Sequence, residues 1–386
     1  MKRLLYLLSV AAATLLVACE PTPDSVEPNT TIASLGTPSN NEIWFTTVDG
    51  RELASLNEEA FDVAIQEVIY SEFDTNIIRF AKPVTEVGND AFRNCHNLFN
   101  ISLPSSVKSI GERAFFECIN LECLTLGEGL QRCGEMAFDN CINLHSLHIP
   151  SIVSWCHITF ATPTANPLYF AQRFVIDGEK ISSLHIPNSI TSINPYAFIG
   201  NALLLEVTIP ASLSRVGKSA FEECGALRKV HISSLKAWCN IDFENETANP
   251  VSLAQALYID GYAATTLSLD GIECIKSRAF INCTSVTDIS TYKSLRSIEL
   301  EAFRNCTSLK KVLLEEGIRE IGARAFMGCS SLSNVTLFAS KPPVLGDDYV
   351  FTYNHNNRKI YVPNNAVQAY KTDEMWSQYA DSINSL

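Results

Sequence analysis

The motif Ala-Phe-x-x-Cys recurs every 23 residues within three blocks of this chain, and it constrains the fold more than any other feature. A cysteine follows the phenylalanine in seven of the eight copies, and Asn201 replaces it in the fourth. The phenylalanines are Phe92, Phe115, Phe138, Phe198, Phe221, Phe280, Phe303 and Phe326. Self-similarity at a fixed period of about 20 to 30 residues is typical of stacked units that cannot bury their apolar faces alone. The chain is therefore predicted to be a solenoid.

Aligned on this motif, the chain contains eight units: 84–106, 107–129, 130–152, 190–212, 213–235, 272–294, 295–317 and 318–340. In the second unit, Leu121, Leu124 and Leu126 form an L-x-x-L-x-L pattern, which ends in the alternation of a short half-buried strand. The first half of each unit is expected to bury its Ala-Phe-x-x-Cys residues on a short helical or irregular turn. One unit thus makes one parallel strand, a turn and a return, and stacking makes a curved array with a parallel β-sheet face.

Two longer spacers, 153–189 and 236–271, interrupt the series and match each other. Their shared segments are Trp155-Cys156, Ala165-Asn166-Pro167 and Ile176-Asp177-Gly178 in the first, and Trp238-Cys239, Ala248-Asn249-Pro250 and Ile259-Asp260-Gly261 in the second. Asp-Gly between apolar residues predicts a tight hairpin. Each spacer is also expected to end in another strand. The array then has about ten rungs and roughly 45–50 Å of sheet at the usual strand spacing.

Seven of the 13 cysteines hold one fixed place in the repeat: Cys95, Cys118, Cys141, Cys224, Cys283, Cys306 and Cys329. Equivalent positions in neighbouring units should stack about 4.8 Å apart with parallel side chains. That arrangement suits a buried ladder of small apolar groups better than the angled geometry of a disulfide. Free buried thiols are therefore predicted, with disulfides as the alternative because the chain has the features of an exported protein.

The N-terminus has the pattern of an export signal. Residues 1–18 combine Lys2-Arg3, an apolar run and a small residue, as in a signal peptide. The run ends in Leu16-Val17-Ala18-Cys19, which resembles the bacterial lipobox, so Cys19 is predicted to be lipidated. Ordinary cleavage beside a chance cysteine is the alternative. Residues 19–41 carry four prolines among Ser, Thr and Asn and are predicted to be a lipidated flexible tether.

The repeat also carries a family resemblance. Its I-G-x-x-A-F-x-x-C-x-x-L-x-x-L-x-I-P pattern is similar to the BspA-type leucine-rich repeat, and the fourth unit shows it as Ile193-Asn194-Pro195-Tyr196-Ala197-Phe198 followed by 205–210. The Trp-Cys spacers and the segment around Trp376 resemble other parts of the same proteins. The resemblance covers about residues 42–386. It implies an α/β repeat solenoid, with a leucine-rich-repeat array over 84–340, on the surface of a cell.

The repeat predicts a role for the two segments that flank it, and the predicted lipid predicts where the protein is located. A solenoid end exposes an apolar face unless something covers it. Residues 42–83 and 341–386 hold aromatic side chains that are out of register with the repeat, so they are predicted to be the N-terminal and C-terminal caps. The predicted lipid places the protein on the outer membrane of a Gram-negative bacterium, facing the cell surface. Contact with the membrane is expected only through that lipid.

The net charge and the motifs argue against two classes of function, nucleic-acid binding and catalysis. The net charge is −13 with no stripe of Lys or Arg, so the chain should repel phosphate backbones, and nucleic acid is not expected as a partner. The Trp155-Cys156-His157 segment places a thiol beside an imidazole, a pair that can form an activated nucleophile. The second spacer has Asn240 in place of His157, so the recurring Trp-Cys pair indicates packing. No catalytic residue and no cofactor is predicted.

The outward strand positions are the candidate binding face. From rung one to rung ten they are Ser102, Thr125, His148, His185, Thr208, His231, Ser268, Ser290, Leu313 and Thr336. His148 and His185 are expected to be neighbours, but two histidines without a third ligand do not make a zinc site, and no metal is predicted. Solenoids commonly bind partners on such faces. An adhesin-like protein that binds host or bacterial surface proteins is the first hypothesis. The second is an accessory lipoprotein that captures glycans or peptides for uptake, which would need the aromatic platforms that this face is predicted to lack.

Overall fold

The structure, a computed structural model, describes residues 34–71 and 75–386 and has the predicted stack of parallel strands. Residues 34–386 form one compact unit. The predicted signal peptide, Cys19 and the tether up to residue 33 lie outside the described residues. The repeat array with parallel sheets is confirmed as the fold class, and the helices of the described residues lie in or beside the spacers and in the segments that flank the array.

One longer parallel strand per unit, with further strands from the spacers and the two flanking segments, builds three consecutive sheets, here called the first, second and third long sheets. The strands of residues 42–80 and the second strand of each spacer hairpin are antiparallel to their neighbours. The first contains Ile65–Ile69, Asn76–Phe80, Glu42–Thr47, Leu98–Ser102, Cys123–Thr125, Ser146–Ile149, Arg173–Ile176 and Glu179–Lys180. The second contains Ser183–His185, Glu206–Ile209, Lys229–Ile232, Leu257–Ile259 and Tyr262–Ala263. The third contains Thr266–Leu269, Asp288–Thr291, Lys311–Leu314, Asn334–Leu337, Lys359–Val362 and Ile383–Ser385.

A second ladder, which the sequence analysis did not predict, runs along the return half of each unit. It consists of two-residue parallel strands: Glu86–Val87, Ser109–Ile110, Arg132–Cys133 and Thr159–Phe160, then Ser192–Ile193, Arg215–Val216 and Asp242–Phe243, then Cys274–Ile275, Ser297–Ile298, Glu320–Ile321 and Val344–Leu345. Close stacking requires a small residue just after several of these strands. A Cβ on Gly134 would lie 2.6 Å from the backbone nitrogen of Glu112 in the preceding unit.

The Ala-Phe-x-x-Cys segment is a regular turn and contains no helix, contrary to one of the two expected forms. In each copy the residues just before the alanine and just before the cysteine position have positive φ angles, 56° at Asp90 and 60° at Asn94 in the first. Hydrogen bonds between units hold this backbone, for example from the Phe92 nitrogen to the Ala114 oxygen at 2.7 Å. Because these hydrogen bonds recur in successive units, they offset the free-energy cost of positive φ angles, which are unfavourable for most side chains.

The phenylalanines and cysteines of this turn form two inward ladders. The rings of Phe92 and Phe115 stack with centroids 5.1 Å apart and planes 6° from parallel. The Cys118 Sγ donates a hydrogen bond to the Phe92 oxygen at 3.1 Å. All described cysteines are free, which confirms the predicted thiols, and burial raises the pKa of the Cys118 thiol well above its ordinary value. The buried thiols of this ladder therefore have a structural role.

Each spacer differs from the prediction by adding a strand of its own before its hairpin. Arg173–Ile176 pairs in parallel with Ser146–Ile149, and Leu257–Ile259 pairs with Lys229–Ile232. The predicted hairpins at Asp177-Gly178 and Asp260-Gly261 are confirmed. The spacer helices are Ile152–Trp155, Leu235–Cys239 and Val251–Ala254, with 3-10 turns at Pro163–Ala165, Pro167–Tyr169 and Glu246–Ala248.

The residues that recur in the spacers replace the backbone bonds lost where a unit is interrupted. The fully buried Asn249 donates from Nδ2 to the Arg278 oxygen at 2.7 Å and accepts from the Val251 nitrogen at 2.9 Å. The Trp238 indole donates to the Ala279 oxygen at 2.9 Å. Trp155 and Asn166 make the equivalent bonds in the first spacer. The packing interpretation of the Trp-Cys pair is thereby supported.

Both ends of the array carry aromatic packing. Phe61, just after the 3-10 turn Glu58–Ala60, meets the ring of Phe92 edge-on at 5.9 Å. At the other end Phe351 stacks on Phe326 at 5.5 Å, so it continues the phenylalanine ladder and is not out of register as expected. The closing elements are Asn364–Ala366, Val367–Thr372 and Ser377–Ser382. Among the residues that the structure describes, no helix is long and apolar enough to span a bilayer.

Candidate functional site

The ten predicted face positions are divided among the three long sheets. Strand pairing aligns Ser102 with Thr125 and His148, then His185 with Thr208 and His231, then Ser268 with Ser290, Leu313 and Thr336. Their neighbours along each strand point into the core, as Val207 and Ile209 do on either side of Thr208. The predicted register is therefore correct within each sheet. The exposure and the neighbours of these residues differ from the prediction in three places.

Ser102 and Thr125 are buried, so they do not belong to an open face. Residues 34–38, which we call the N-terminal strap, lie across them. The Ser102 hydroxyl donates to the Gly36 oxygen, and the Thr125 hydroxyl lies 2.9 Å from the Ser34 hydroxyl. The repeat pattern gives no information about this contact, because the strap is outside the repeat.

His148 and His185 are not neighbours, because the spacer strand inserts Val175 beside His148. His185 pairs with Thr208 in the second long sheet. The His148 Nε2 lies 2.7 Å from the Ser146 hydroxyl, and desolvation lowers the pKa of His148. Within residues 34–71 and 75–386, no three His, Cys, Asp or Glu side chains are grouped as a metal site would require.

The second long sheet carries a group that we call the central cluster: Glu206, Lys229, His231 and Tyr258. The Glu206 carboxylate meets Lys229 Nζ at 2.5 Å and His231 Nε2 at 3.2 Å. The Tyr258 ring lies 5.2 Å from the His231 ring and 5.9 Å from Lys229 Nζ. The hydrogen bond from Lys229 lowers the pKa of Glu206, and the same bond raises the pKa of Lys229. The central cluster therefore presents fixed charges and an aromatic ring on rigid strands.

Tyrosines that were not among the predicted face positions lie on the second and third long sheets. Tyr258 was assigned to a spacer, although the alternation of Leu257, Tyr258 and Ile259 before Asp260-Gly261 is a strand signal. On the third long sheet Tyr361 pairs beside Thr336, and the Tyr292 hydroxyl lies 3.2 Å from the Ser268 hydroxyl. The expectation of a face without tyrosine is therefore wrong. The spacer strand Leu257–Ile259 supplies Tyr258, and the strand Lys359–Val362 near the C-terminus supplies Tyr361.

The candidate thiol pair has no catalytic geometry. Cys156 is fully buried, and burial raises the pKa of its thiol to about 12. His157 is exposed, and its Nδ1 lies 2.9 Å from the Val153 oxygen. A nucleophile must be accessible and ionisable near neutral pH, so Cys156 cannot fill that role.

Two open grooves lie away from the long sheets. One has a volume of about 550 Å³ and is lined by Pro163, Tyr196, Lys218, Ser219, Glu222, Asn245, Glu246 and Thr247. The other, of about 490 Å³, follows the short strands of the first three units and of the first spacer. In the first groove Asn245 Oδ1 accepts from the Ser219 nitrogen and its Nδ2 donates to the Ser219 hydroxyl, so these polar groups already satisfy one another.

The repeat is similar to that of known leucine-rich repeat proteins. The family model described as the BspA type leucine rich repeat region matches in six copies, over residues 63–161, 171–272 and 273–374. A solved leucine-rich repeat protein from Bacteroides ovatus ATCC 8483 is 19% identical, with 84% of this chain and 91% of that chain covered and a TM-score of 0.40. A leucine rich cell surface protein from Faecalibacterium prausnitzii A2-165 is 22% identical over 78% of this chain and 76% of that chain, with a TM-score of 0.41. No curated protein matches the chain.

Proposed function

Because this chain belongs to the BspA-type leucine-rich repeat family, and is thus a repeat scaffold for binding, we propose that it recognises protein partners as a non-enzymatic surface protein with an adhesin-like role. The central cluster carries this proposal. Interfaces gain most of their binding energy from a few aromatic or charged side chains that are held in place beforehand. Lys229 and Tyr258 are such side chains, because strand pairing and the Glu206 carboxylate fix them on the open side of the second long sheet.

We expect Lys229→Ala and Tyr258→Ala each to weaken partner binding by about tenfold or more, the effect typical of a hot-spot side chain. The wild-type chain is first tested by biolayer interferometry against host matrix proteins, mucin and purified polysaccharides. The two variants are then measured against whichever protein binds.

Lys218→Ala is the matched control for charge, because Lys218 is exposed on the groove side of the array and away from the long sheets. Tyr353→Ala, in the exposed C-terminal end, is the control for the ring. Binding that survives both face variants contradicts the central cluster as the site.

The proposal includes an N-terminal lipid at Cys19 and a position on the outer membrane facing the cell surface. The lipobox-like Leu16-Val17-Ala18-Cys19 sequence and the proline-rich tether support it. We expect Cys19→Ala to abolish labelling by a palmitate analogue and to release the chain from the membrane fraction. Cys274→Ala is the control, because Cys274 is the described cysteine that is only partly buried and removing it leaves the lipobox intact. An unchanged membrane fraction for Cys19→Ala contradicts the lipid anchor.

Capture of glycans or peptides for uptake is the second candidate function. The tyrosines on the long sheets favour it, since sugars bind on aromatic platforms. The separate positions of the spacer aromatics weigh against one large platform: Tyr169 packs on Phe170 at 5.1 Å and beside Gly200, whereas Tyr258 packs on His231. In the interferometry experiment, binding to polysaccharides but to no protein would favour this second function, provided that Tyr258→Ala abolishes the polysaccharide binding.

A further inference from the structure

The first two rungs of the first long sheet have the features of a peptide-binding site. Trp44 pairs directly with Ser102, and Ser102 pairs with Thr125, so the three side chains form one outward row. The strap crosses this row. Its Gly36 oxygen accepts from the Ser102 hydroxyl, and its Ser34 hydroxyl bonds with Thr125. A Cβ on Gly36 would lie 3.9 Å from the Trp44 ring, so the strap backbone rests against an aromatic wall.

The strap is held on this row by side chains and forms no strand with it. Residues 34–38 lack strand pairing; Gly36 and Thr37 are exposed, and Pro38 is buried where the strap joins the array. The apolar end of the array is covered by other residues, since Phe61 packs on Phe80 at 5.1 Å and on Phe92 at 5.9 Å. The strap covers the hydroxyl groups of Ser102 and Thr125, and water can also form hydrogen bonds with these groups. Segments without a backbone ladder open more readily than paired strands, so residues 34–37 of the strap are a replaceable occupant.

The contacts also define what the site accepts. Gly36 has a φ angle of +80°, a conformation that L side chains rarely adopt. A glycine is therefore favoured where the chain passes the Trp44 ring. A serine two residues earlier reaches Thr125, as Ser34 does. The remaining recognition uses a main-chain oxygen, which any extended peptide carries.

We propose that the row formed by Trp44, Ser102 and Thr125 is a peptide-binding site that the strap occupies in cis. Its ligand in trans is an extended peptide of small residues with serine two positions before glycine. This inference is independent of the proposed function. It concerns the first long sheet, whereas the central cluster lies on the second, so failure of one leaves the other intact.

The test uses the full chain and a fluorescent peptide with the sequence Ala-Ser-Leu-Gly-Thr-Pro-Ser-Asn, which copies residues 33–40. We expect Gly36→Val to bind this peptide at least about tenfold more tightly than wild type, measured by anisotropy. The wild-type strap competes at the high effective concentration of a tethered segment, and valine disfavours its bound conformation. Gly50→Val is the matched control. Gly50 also has a positive φ angle, 66°, but nothing lies within 4 Å of an added Cβ, so it should leave peptide binding unchanged.

Sequence requirements separate a specific site from general adhesion. In the Gly36→Val chain, peptides with valine for the glycine or alanine for the first serine should bind at least about fivefold more weakly, since each loses a defined contact. Adding Ser102→Ala and Thr125→Val should remove the gain. Ser34→Ala in the strap is a second variant without backbone strain, and it should increase peptide binding in the same direction.

Tryptophan fluorescence gives a readout that does not depend on peptide affinity. Trp155, Trp238 and Trp376 are buried, so acrylamide quenching reports mainly on Trp44. Quenching should rise in Gly36→Val and fall again when the peptide is added. Equal peptide binding and equal quenching in wild type, Gly36→Val and Ser34→Ala, with all three chains folded by circular dichroism, would overturn the proposal.

Discussion

Replacing Phe303 with alanine should destabilise the array by about 4 kcal/mol, within the range for removing a fully buried phenylalanine. Phe303 has no exposed surface and stacks between Phe280 at 4.9 Å and Phe326 at 5.3 Å, with planes within 2° of parallel. Alanine would leave a cavity in the middle of a ladder of four rings. Because each unit contacts only its neighbours, the surrounding units cannot close over that cavity without losing register.

The measurement is the midpoint of urea denaturation, followed by far-ultraviolet circular dichroism. Phe338→Ala is the matched control, because Phe338 follows the strand Asn334–Leu337 of the eighth unit and 40% of its surface is exposed. That control should shift the free energy of unfolding by less than about 1 kcal/mol, as surface substitutions do. Similar midpoints for Phe303→Ala and Phe338→Ala would show that the ladder is not a main source of stability.

Replacing Glu301 with glutamine is expected to destabilise the array by about 2–3 kcal/mol at neutral pH, somewhat less than the loss of a fully buried ion pair. The Glu301 side chain is only 7% exposed and bonds Arg304 Nη1 at 2.8 Å and Arg278 Nε at 3.1 Å. A third guanidinium, that of Arg324, lies 3.4 Å away. Glutamine keeps the shape of the side chain and removes the charge that these arginines share.

The pH dependence of this effect has a defined sign. Burial by itself raises the pKa of Glu301, but the hydrogen bond and charge of Arg304, with those of Arg278, outweigh it, so the pKa is lowered. A carboxyl whose pKa is lowered on folding stabilises the protein above its unfolded pKa, about 4.3, and loses that contribution as pH falls through the folded value. The difference between wild type and Glu301→Gln should therefore be largest near neutral pH and shrink in acid.

Glu316→Gln is the control for this second prediction. Glu316 pairs with Lys293 at 2.9 Å, but its side chain is 58% exposed, so solvent screens the pair. Its loss should change the free energy of unfolding by less than about 1 kcal/mol at any pH. Equal effects of the two glutamine variants across the pH range would contradict a special role for the arginine-bound carboxylate.

The phenylalanine ladder could be predicted from the sequence, whereas the short strands and the left-handed turns could not. The ladder of Phe280, Phe303 and Phe326 follows from the period, because identical inward positions must meet when units stack. The two-residue strands of the return half were missed, because two residues cannot show a period. The left-handed turn at Asp90 and Asn94 was also missed, because neither position is consistently glycine.

The binding face was predicted least well. Its register is correct, yet Ser102 and Thr125 lie beneath the strap, Val175 separates His148 from His185, and Tyr258 joins His231. Each of these contacts depends on a segment outside the 23-residue repeat. No pattern in the sequence specifies the side on which such a segment packs.

The sequence by itself determined the repeat, the inward residues and the free thiols, because stacking forces every unit to bury the same positions. Only the tertiary structure decided which outward residues are open and which are adjacent. The physical reason is that burial of a core position is set by the local period. Exposure of a surface position is set by whichever distant segment, strap or spacer strand, comes to lie beside it.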